Sequence, residues 1–283
     1  MLPAKRLLRS PTDLYEYPEH LREPIASMPK APGVYLFYGD SDSLPLYIGK
    51  SVDIRARLLA HLRTPEEARL LRQARRIEHI RTAGEIGALL LESRLIKERQ
   101  PLYNKRLRRQ RRLCSIRLED GKPEIVEAVS PGRGQPLYGL FRNRRAATEQ
   151  LLAIADRHLL CLGLLGLERH IPGRACFRTQ IGRCAGACVG RESRKAHATR
   201  LLAALAEREV FCWPYPGPVA LCECSEGLED YHVIDQWHFL GTYASLQEAR
   251  QAPTGQPLPF DADSYKILLR PILQGGTGIV PLF

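Results

Sequence analysis

The stretch Gly33-Val34-Tyr35-Leu36-Phe37-Tyr38-Gly39-Asp40-Ser41-Asp42-Ser43-Leu44-Pro45-Leu46-Tyr47-Ile48-Gly49-Lys50 decides the fold. Two apolar runs, Val34 to Tyr38 and Leu44 to Ile48, flank the polar segment Gly39 to Ser43, a pattern that predicts two strands joined by a hairpin loop. A helix should follow, because Asp53 is a suitable N-cap and Ile54, Leu58, Leu59 and Leu62 recur at helical spacing. Arg57 and His61 stand one turn apart beside that apolar stripe. Tyr35, Tyr47, Lys50, Arg57 and His61 are therefore expected to converge on one surface.

Working outward, residues 1–30 read as a polar leader with a short helix at Glu19 to Ser27. Thr64-Pro65-Glu66-Glu67 has the form of a capping box and opens a helix to about Arg76, and Ile77 to Thr82 alternates as a third strand. After Gly84, Glu85 to Gln100 predicts a helix stopped by Pro101. Its apolar residues occupy most of the helical wheel, and Glu92 falls inside their arc. A carboxylate there must be neutralised, paired or metal-bound, because an unpaired buried charge is unfavourable; a salt bridge to one of the many arginines is the structural alternative. Leu113 to Leu118 and Glu124 to Val129 read as a second hairpin, followed by a loop and a helix from Ala146 to Leu160. Arg191 to Val210 looks helical. Beyond it, Val219 to Cys224, Tyr231 to Asp235 and Trp237 to Gly241 read as strands, and Ser245 to Arg250 and Ser264 to Leu269 as helices. The class is α+β, with segments at 1–30, 31–112, 113–200 and 201–283.

The formal charge of +11 is unevenly placed. From Arg55 to Arg112 there are 17 Lys and Arg against 6 Glu, whereas from Phe211 to Phe283 there are 8 acids and 3 bases. An ordinary solvated face is the bland explanation of any one charged run. Here the excess continues from the converging residues into Lys105, Arg106, Arg108, Arg109, Arg111 and Arg112, a strap suited to phosphates, and points to nucleic acid. The longest uncharged apolar run, Leu159 to Leu167, is 9 residues against about 20 for a membrane span, so no membrane partner is expected. No apolar core of a signal peptide follows Lys5, Arg6 and Arg9, so cytoplasm is the expected location. Disulfides are then unexpected among the eight cysteines. Cys161, Cys176, Cys184 and Cys188 have 14, 7 and 3 residues between them, which differs from the repeated two-residue spacing of a zinc ribbon. Cys222 and Cys224 read as packing residues.

Gly33-Val34-Tyr35 and Tyr47-Ile48-Gly49, 11 residues apart and followed by Lys50, Arg57 and His61, resemble the paired tripeptides of the GIY-YIG nucleases. Leu91-Glu92-Ser93-Arg94-Leu95-Ile96-Lys97, running to Pro101-Leu102-Tyr103-Asn104, resembles the UvrC form of that domain. Cys176-Phe177, Gln180-Ile181-Gly182-Arg183-Cys184 and Cys188-Val189-Gly190 resemble the cysteine-bearing stretch of UvrC. The resemblance runs from about Pro32 to Gly190, after which the chain ends in a short acidic module, as in stand-alone UvrC homologues of nucleotide excision repair. It departs at Cys161, which lies further upstream than the UvrC pattern places it, and at His61, where UvrC proteins commonly carry tyrosine.

The resemblance implies a GIY-YIG domain at 31–112, with a small antiparallel sheet flanked by helices. It implies a DNA endonuclease in which Glu92 holds Mg2+ or Mn2+ and Asn104 orients the site. Cys161, Cys176, Cys184 and Cys188 would hold a 4Fe–4S cluster, with zinc or bare thiols as alternatives. The implied activity is one incision 3′ to a lesion by a monomer, acting on damaged double-stranded DNA in a UvrB–DNA complex prepared by UvrA and UvrB. Arg57 would stabilise phosphate charge and His61 would position water or bind phosphate, while Tyr35 or Tyr47 serves as base if Lys50 and the metal stabilise a phenolate. A GIY-YIG nuclease of mobile-element or restriction type, or a DNA-binding accessory protein without catalysis, are the competing readings.

Overall fold

The structure is a computed structural model that describes residues 18–104, 113–128, 136–169, 171, 173–254, 260–274 and 278–283. The basic strap from Lys105 to Arg112 lies outside the described residues, as do residues 1–17. A short helix, α1 (Arg22–Ala26), leads into β1 (Gly33–Tyr38), β2 (Pro45–Ser51) and β3 (Arg76–Arg81), an antiparallel sheet in the order β2-β1-β3. Every residue of β1 is buried because helices cover both faces of this central strand. Tyr35 and Phe37 pack on Ile54, Leu58 and Leu62 in and after α2 (Ile54–His61), with Leu70 and Leu71 of α3 (Ala68–Gln73). Val34, Leu36 and Ile48 face Leu95 and Ile96 of α4 (Glu85–Arg99). Asp53 caps α2, its side chain accepting the Ala56 N–H at 2.9 Å.

The expected capping box at Thr64 does not form. The Thr64 hydroxyl donates to the Ala60 carbonyl, residues 65–67 form a 3-10 turn, and Glu67 turns away to His61.

The middle of the chain builds a second antiparallel sheet from β4 (Cys114–Glu119), β5 (Lys122–Glu127), β6 (Leu137–Phe141) and β7 (Glu209–Val210), in the order β5-β4-β6-β7. The sequence reading passes over β6, a short strand whose alternation is interrupted by Gly139 at a φ of 70°. The helices α5 (Arg144–Arg157) and α7 (Arg194–Ala206) pack on this sheet, and the one-turn α6 (Phe177–Gln180) lies in the cysteine segment. Leu201, Ala204 and Leu205 share a core with Ile116 and Leu151, so the expected boundary at residue 200 cuts through a helix that belongs to the middle domain. Pairing of β7 with β6 carries that domain to Val210.

The last sheet comprises β8 (Val219–Ser225), β9 (Leu228–Asp235), β10 (His238–Tyr243) and β11 (Ile279–Pro281), in the order β10-β9-β8-β11. Two helices, α8 (Leu246–Arg250) and α9 (Ala262–Leu273), accompany it. Its core includes Trp237, Tyr265 and Leu268, and Leu90 and Ile86 of α4 pack into that core. Helix α4 thus has the first sheet on one side and the acidic module on the other. No described helix is long and apolar enough to cross a membrane.

Candidate active site

Strand register places Tyr35 opposite Gly49 on β2 and His79 on β3. The Tyr35 ring crosses Gly49 so closely that a Cβ there would stand 2.4 Å from the phenol oxygen, which is why the second tripeptide ends in glycine. Gly33 meets β3 as tightly, since a Cβ would stand 2.2 Å from the Ile80 carbonyl oxygen. The Tyr35 hydroxyl lies 2.7 Å from His61 Nε2, and the Arg57 guanidinium stands beside the same phenol. His61, only 1% exposed, turns Nδ1 to the Glu67 carboxylate. With Glu67 accepting the Nδ1 proton, Nε2 is left to accept from the Tyr35 hydroxyl. The Tyr47 ring completes the group, its centroid 6.3 Å from Tyr35 and 5.8 Å from His61.

Burial pushes the Tyr35 phenol well above its ordinary pKa, with Tyr47 adding to the rise, and the neighbouring Arg57 offsets only part of it. Tyr47 is raised too, by burial first and then by the charges of Glu92 and Glu67. Lys50 does not meet the tyrosines as expected. Alternation along β2 puts Lys50 opposite Val34, on the face that meets α4, and its ammonium bonds Glu85 at 2.6 Å. Arg57 is the cation on Tyr35 instead.

Glu92, on α4, reaches β2 from the other side. Its Oε1 accepts the Lys50 backbone N–H at 3.1 Å, and among the described residues its Oε2 has no hydrogen bond and the carboxylate no ion pair. The arginine salt bridge considered as the structural alternative is therefore absent among the described residues. Burial raises the Glu92 pKa against the opposing Lys50 N–H and charge, so a lone negative charge is disfavoured there. Asn104 brackets Ile48: its Oδ1 accepts the Ile48 N–H at 2.9 Å and its Nδ2 donates to the Ile48 carbonyl at 2.8 Å, holding the backbone between Tyr47 and Gly49.

The four cysteines singled out by spacing do come together. The sulfurs of Cys161, Cys176, Cys184 and Cys188 all lie within 4.8 Å of one another, although Cys161 departs from the expected position. Cys161, Cys184 and Cys188 are buried, and Leu164 and Val189 pack against them. Burial and the neighbouring thiols push Cys161 up. For Cys188 burial is outweighed by hydrogen bonds from the Cys176 N–H and the Thr179 hydroxyl, which bring its thiol down. Cys222 and Cys224 lie apart from this group, on β8, with their sulfurs 3.4 Å apart.

Sequence reasoning missed Glu67, because its place three residues after Thr64 satisfies the capping pattern so fully that no second role suggests itself. It also missed the acidic residues that hold α4. Glu223 accepts from Ile86 and Gly87 N–H groups, Asp230 from the Ala83 N–H, and Asp261 from the Lys97 ammonium.

Residues 31–105 match the family model of the UvrC-like GIY-YIG domain, residues 113–207 that of the UvrC/Cho excinuclease middle domain, and residues 218–283 that of the excinuclease Cho C-terminal domain. Excinuclease Cho of Escherichia coli K12 is 54% identical over 283 residues, covering 99% of this chain and 96% of that protein. UvrABC system protein C of Methanothermobacter thermautotrophicus is 36% identical over 173 residues, 59% of this chain and 29% of that protein. Among solved structures, the magnesium-bound GIY-YIG N-terminal endonuclease domain of UvrC from Thermotoga maritima is 36% identical over 30% of this chain and 97% of that one, with a TM-score of 0.28. With consecutive matches to all three domains and more than half of its residues shared with a relative over nearly its full length, the chain belongs to the excinuclease Cho family of DNA endonucleases.

Proposed function

We propose that the chain, as a cytoplasmic monomer, makes one incision on the 3′ side of a lesion in double-stranded DNA prepared by UvrA and UvrB, with one magnesium or manganese ion held at Glu92. The observation that carries this reading is the convergence of a half-buried carboxylate with no ion pair among the described residues, an arginine and the hydrogen-bonded series Tyr35–His61–Glu67 on one small sheet. A single carboxylate with one uncommitted oxygen suits a hard cation that takes its other ligands from water and phosphate. When bound, the cation supplies charge to the scissile phosphate and acidity to a water.

Tyr35 takes the proton of the attacking water while its own proton passes to His61 Nε2, and Glu67 stabilises the imidazolium that forms. This coupling avoids a free phenolate, which the burial of Tyr35 disfavours. Arg57 turns its forked donors to the phosphate, and Tyr47 confines the water beside Tyr35. Lys50, held by Glu85 at the end of β2, contacts a flanking phosphate, and Asn104 keeps the β2 backbone in register. Lys105, Arg106, Arg108, Arg109, Arg111 and Arg112 contact the DNA backbone. The experiment that tests the relay is a nicking assay of His61→Phe, which keeps an aromatic ring against Phe37 and Tyr47 but removes the acceptor. Its turnover should fall by roughly 10²- to 10⁴-fold with little change in KM. Turnover at the parent rate contradicts the relay.

Cys161, Cys176, Cys184 and Cys188 form an all-sulfur donor set suited to a 4Fe–4S cluster or a zinc ion, and the group braces the middle domain rather than transferring electrons. Protein purified without oxygen should carry iron or zinc, separable by elemental analysis and the visible spectrum. Cys184→Ser should lose the metal and destabilise the middle domain by more than about 4 kcal/mol in denaturant titration. Protein without either metal contradicts this assignment.

A further inference from the structure

The helix that carries Glu92 lacks a cap of its own. Its N-cap is Gly84, in extended backbone with no side chain to offer the first-turn N–H groups. Glu223, near the middle of β8, supplies two acceptors from a distant part of the chain: Oε1 takes the Ile86 N–H at 3.0 Å and Oε2 the Gly87 N–H at 2.7 Å. The carboxylate is itself held by His232 Nε2 at 3.0 Å, and His232, fully buried, bonds the Thr242 hydroxyl through Nδ1 at 2.9 Å. Those hydrogen bonds outweigh burial and keep Glu223 below the ordinary carboxylate range, so it is a charged cap facing the positive end of the helix dipole.

The neighbouring contacts repeat the pattern. Asp230 accepts the Ala83 N–H at 2.7 Å just ahead of the helix, and towards its other end Lys97 places Nζ 2.7 Å from both Asp261 oxygens. Glu92 lies between these two grips. The glycines are required by the fit: a Cβ on Gly84 would stand 2.1 Å from Glu223 Oε1, and one on Gly87 would stand 2.8 Å from His232 Cε1. The acidic balance of the C-terminal module is in part directed at the nuclease domain of the same chain.

We propose that Glu223 is a positioning residue for incision: by capping α4 from the C-terminal module it fixes the axial position and rotation of the helix that presents Glu92. This rests on Glu92 being the cation's carboxylate. The C-terminal module is then a clamp on the metal-bearing helix, and the first sheet and the module together define where that carboxylate points. The effect of losing such support around a metal ligand is commonly 10- to 100-fold in affinity or activity.

The test uses the full-length protein with Mn2+ as probe, measuring cation affinity by calorimetry, amide exchange at Ile86 and Gly87, and the cation dependence of nicking. Glu223→Ala should weaken Mn2+ binding by roughly 10- to 100-fold and speed exchange at the two amides, with duplex affinity unchanged. Adding Gly84→Asp to Glu223→Ala should bring the affinity back to within about threefold of the parent, because the shortened residue leaves room for a cap supplied from within the helix's own segment. Gly84→Asp alone should impair binding, since its Cβ meets the Glu223 carboxylate. If Glu223→Ala does not fold, Glu223→Gln takes its place, because its amide has one acceptor oxygen where the carboxylate uses two, so its NH2 would face one of the two N–H groups and binding should still weaken. Parent-like Mn2+ affinity in the Glu223 variant, or a loss that the double variant fails to repair, overturns the proposal. Glu92→Gln separates the two claims: if it binds Mn2+ and nicks normally the reading of the site fails, whereas a silent Glu223 variant beside an inactive Glu92→Gln leaves that reading intact and refutes only the clamp.

Discussion

Glu92→Gln is expected to lower the incision rate by at least about 10³-fold while duplex affinity stays within about twofold of the parent. The substitution keeps the shape and an oxygen to accept the Lys50 N–H, and removes only the charge. Glu92 is the acidic side chain that reaches β2 from α4 with an oxygen uncommitted among the described residues, so no neighbour is placed to replace it as ligand. Glu85 is committed to Lys50 and Glu67 to His61. The pH dependence has a definite sign. Burial holds the Glu92 pKa above its unfolded value, so without cation its contribution to stability is fully present below the unfolded pKa and is lost as pH rises through the folded one. Cation binding requires the charged form and offsets that loss. The magnesium concentration needed for half-maximal nicking should therefore rise as pH falls through the raised pKa, and thermal stabilisation by magnesium should grow as pH rises. Nicking by Glu92→Gln at the parent rate, or a magnesium requirement independent of pH in this window, counts against the assignment.

Arg57→Ala should reduce turnover by about 10²- to 10³-fold, the loss seen when one preorganised donor to a developing charge is removed. The guanidinium is exposed at its helix face yet stands beside the Tyr35 hydroxyl, so it joins the phosphate-facing surface to the base. Two effects should appear together: transition-state charge loses its donor, and the Tyr35 phenol, already raised by burial, loses the group that most opposes the rise. Arg57→Lys should recover little, because a single ammonium cannot contact phosphate and phenol with the same planar fork. Single-turnover nicking under saturating protein measures this directly, and a variant slowed only through weaker DNA binding would contradict it.

The first sheet and its helices are legible because their signals are local. Two short apolar runs, an Asp before a helical stripe, and a glutamate among leucines each report a period or a cap that tertiary contacts then reinforce. The two glycines of the tripeptides acquire their physical reason only with the sheet assembled, when Tyr35 is seen to lie across Gly49 and the Ile80 carbonyl to approach Gly33. Lys50 and Glu67 mark where local reading stops. Lys50 lies beside the motif in sequence but points to the opposite face, and Glu67 satisfies a helix-capping pattern while serving a buried histidine. The role of the last module was illegible for a further reason. Glu223 sits in Val219 to Cys224, which reads simply as a strand, and its partner Gly87 lies 136 residues earlier, so nothing local marks the contact. The four cysteines are intermediate: their spacing is irregular, yet the chain folds them into one group of sulfurs.

The account is tested most directly by mapping the cut on an end-labelled duplex carrying a single lesion. Purified protein is incubated with magnesium and combinations of UvrA and UvrB. The predicted result is one break in the damaged strand on the 3′ side of the lesion, only when UvrA, UvrB and magnesium are all present, and none with Glu92→Gln. A break on the 5′ side, a break in undamaged duplex, or incision that persists without the divalent cation would contradict it.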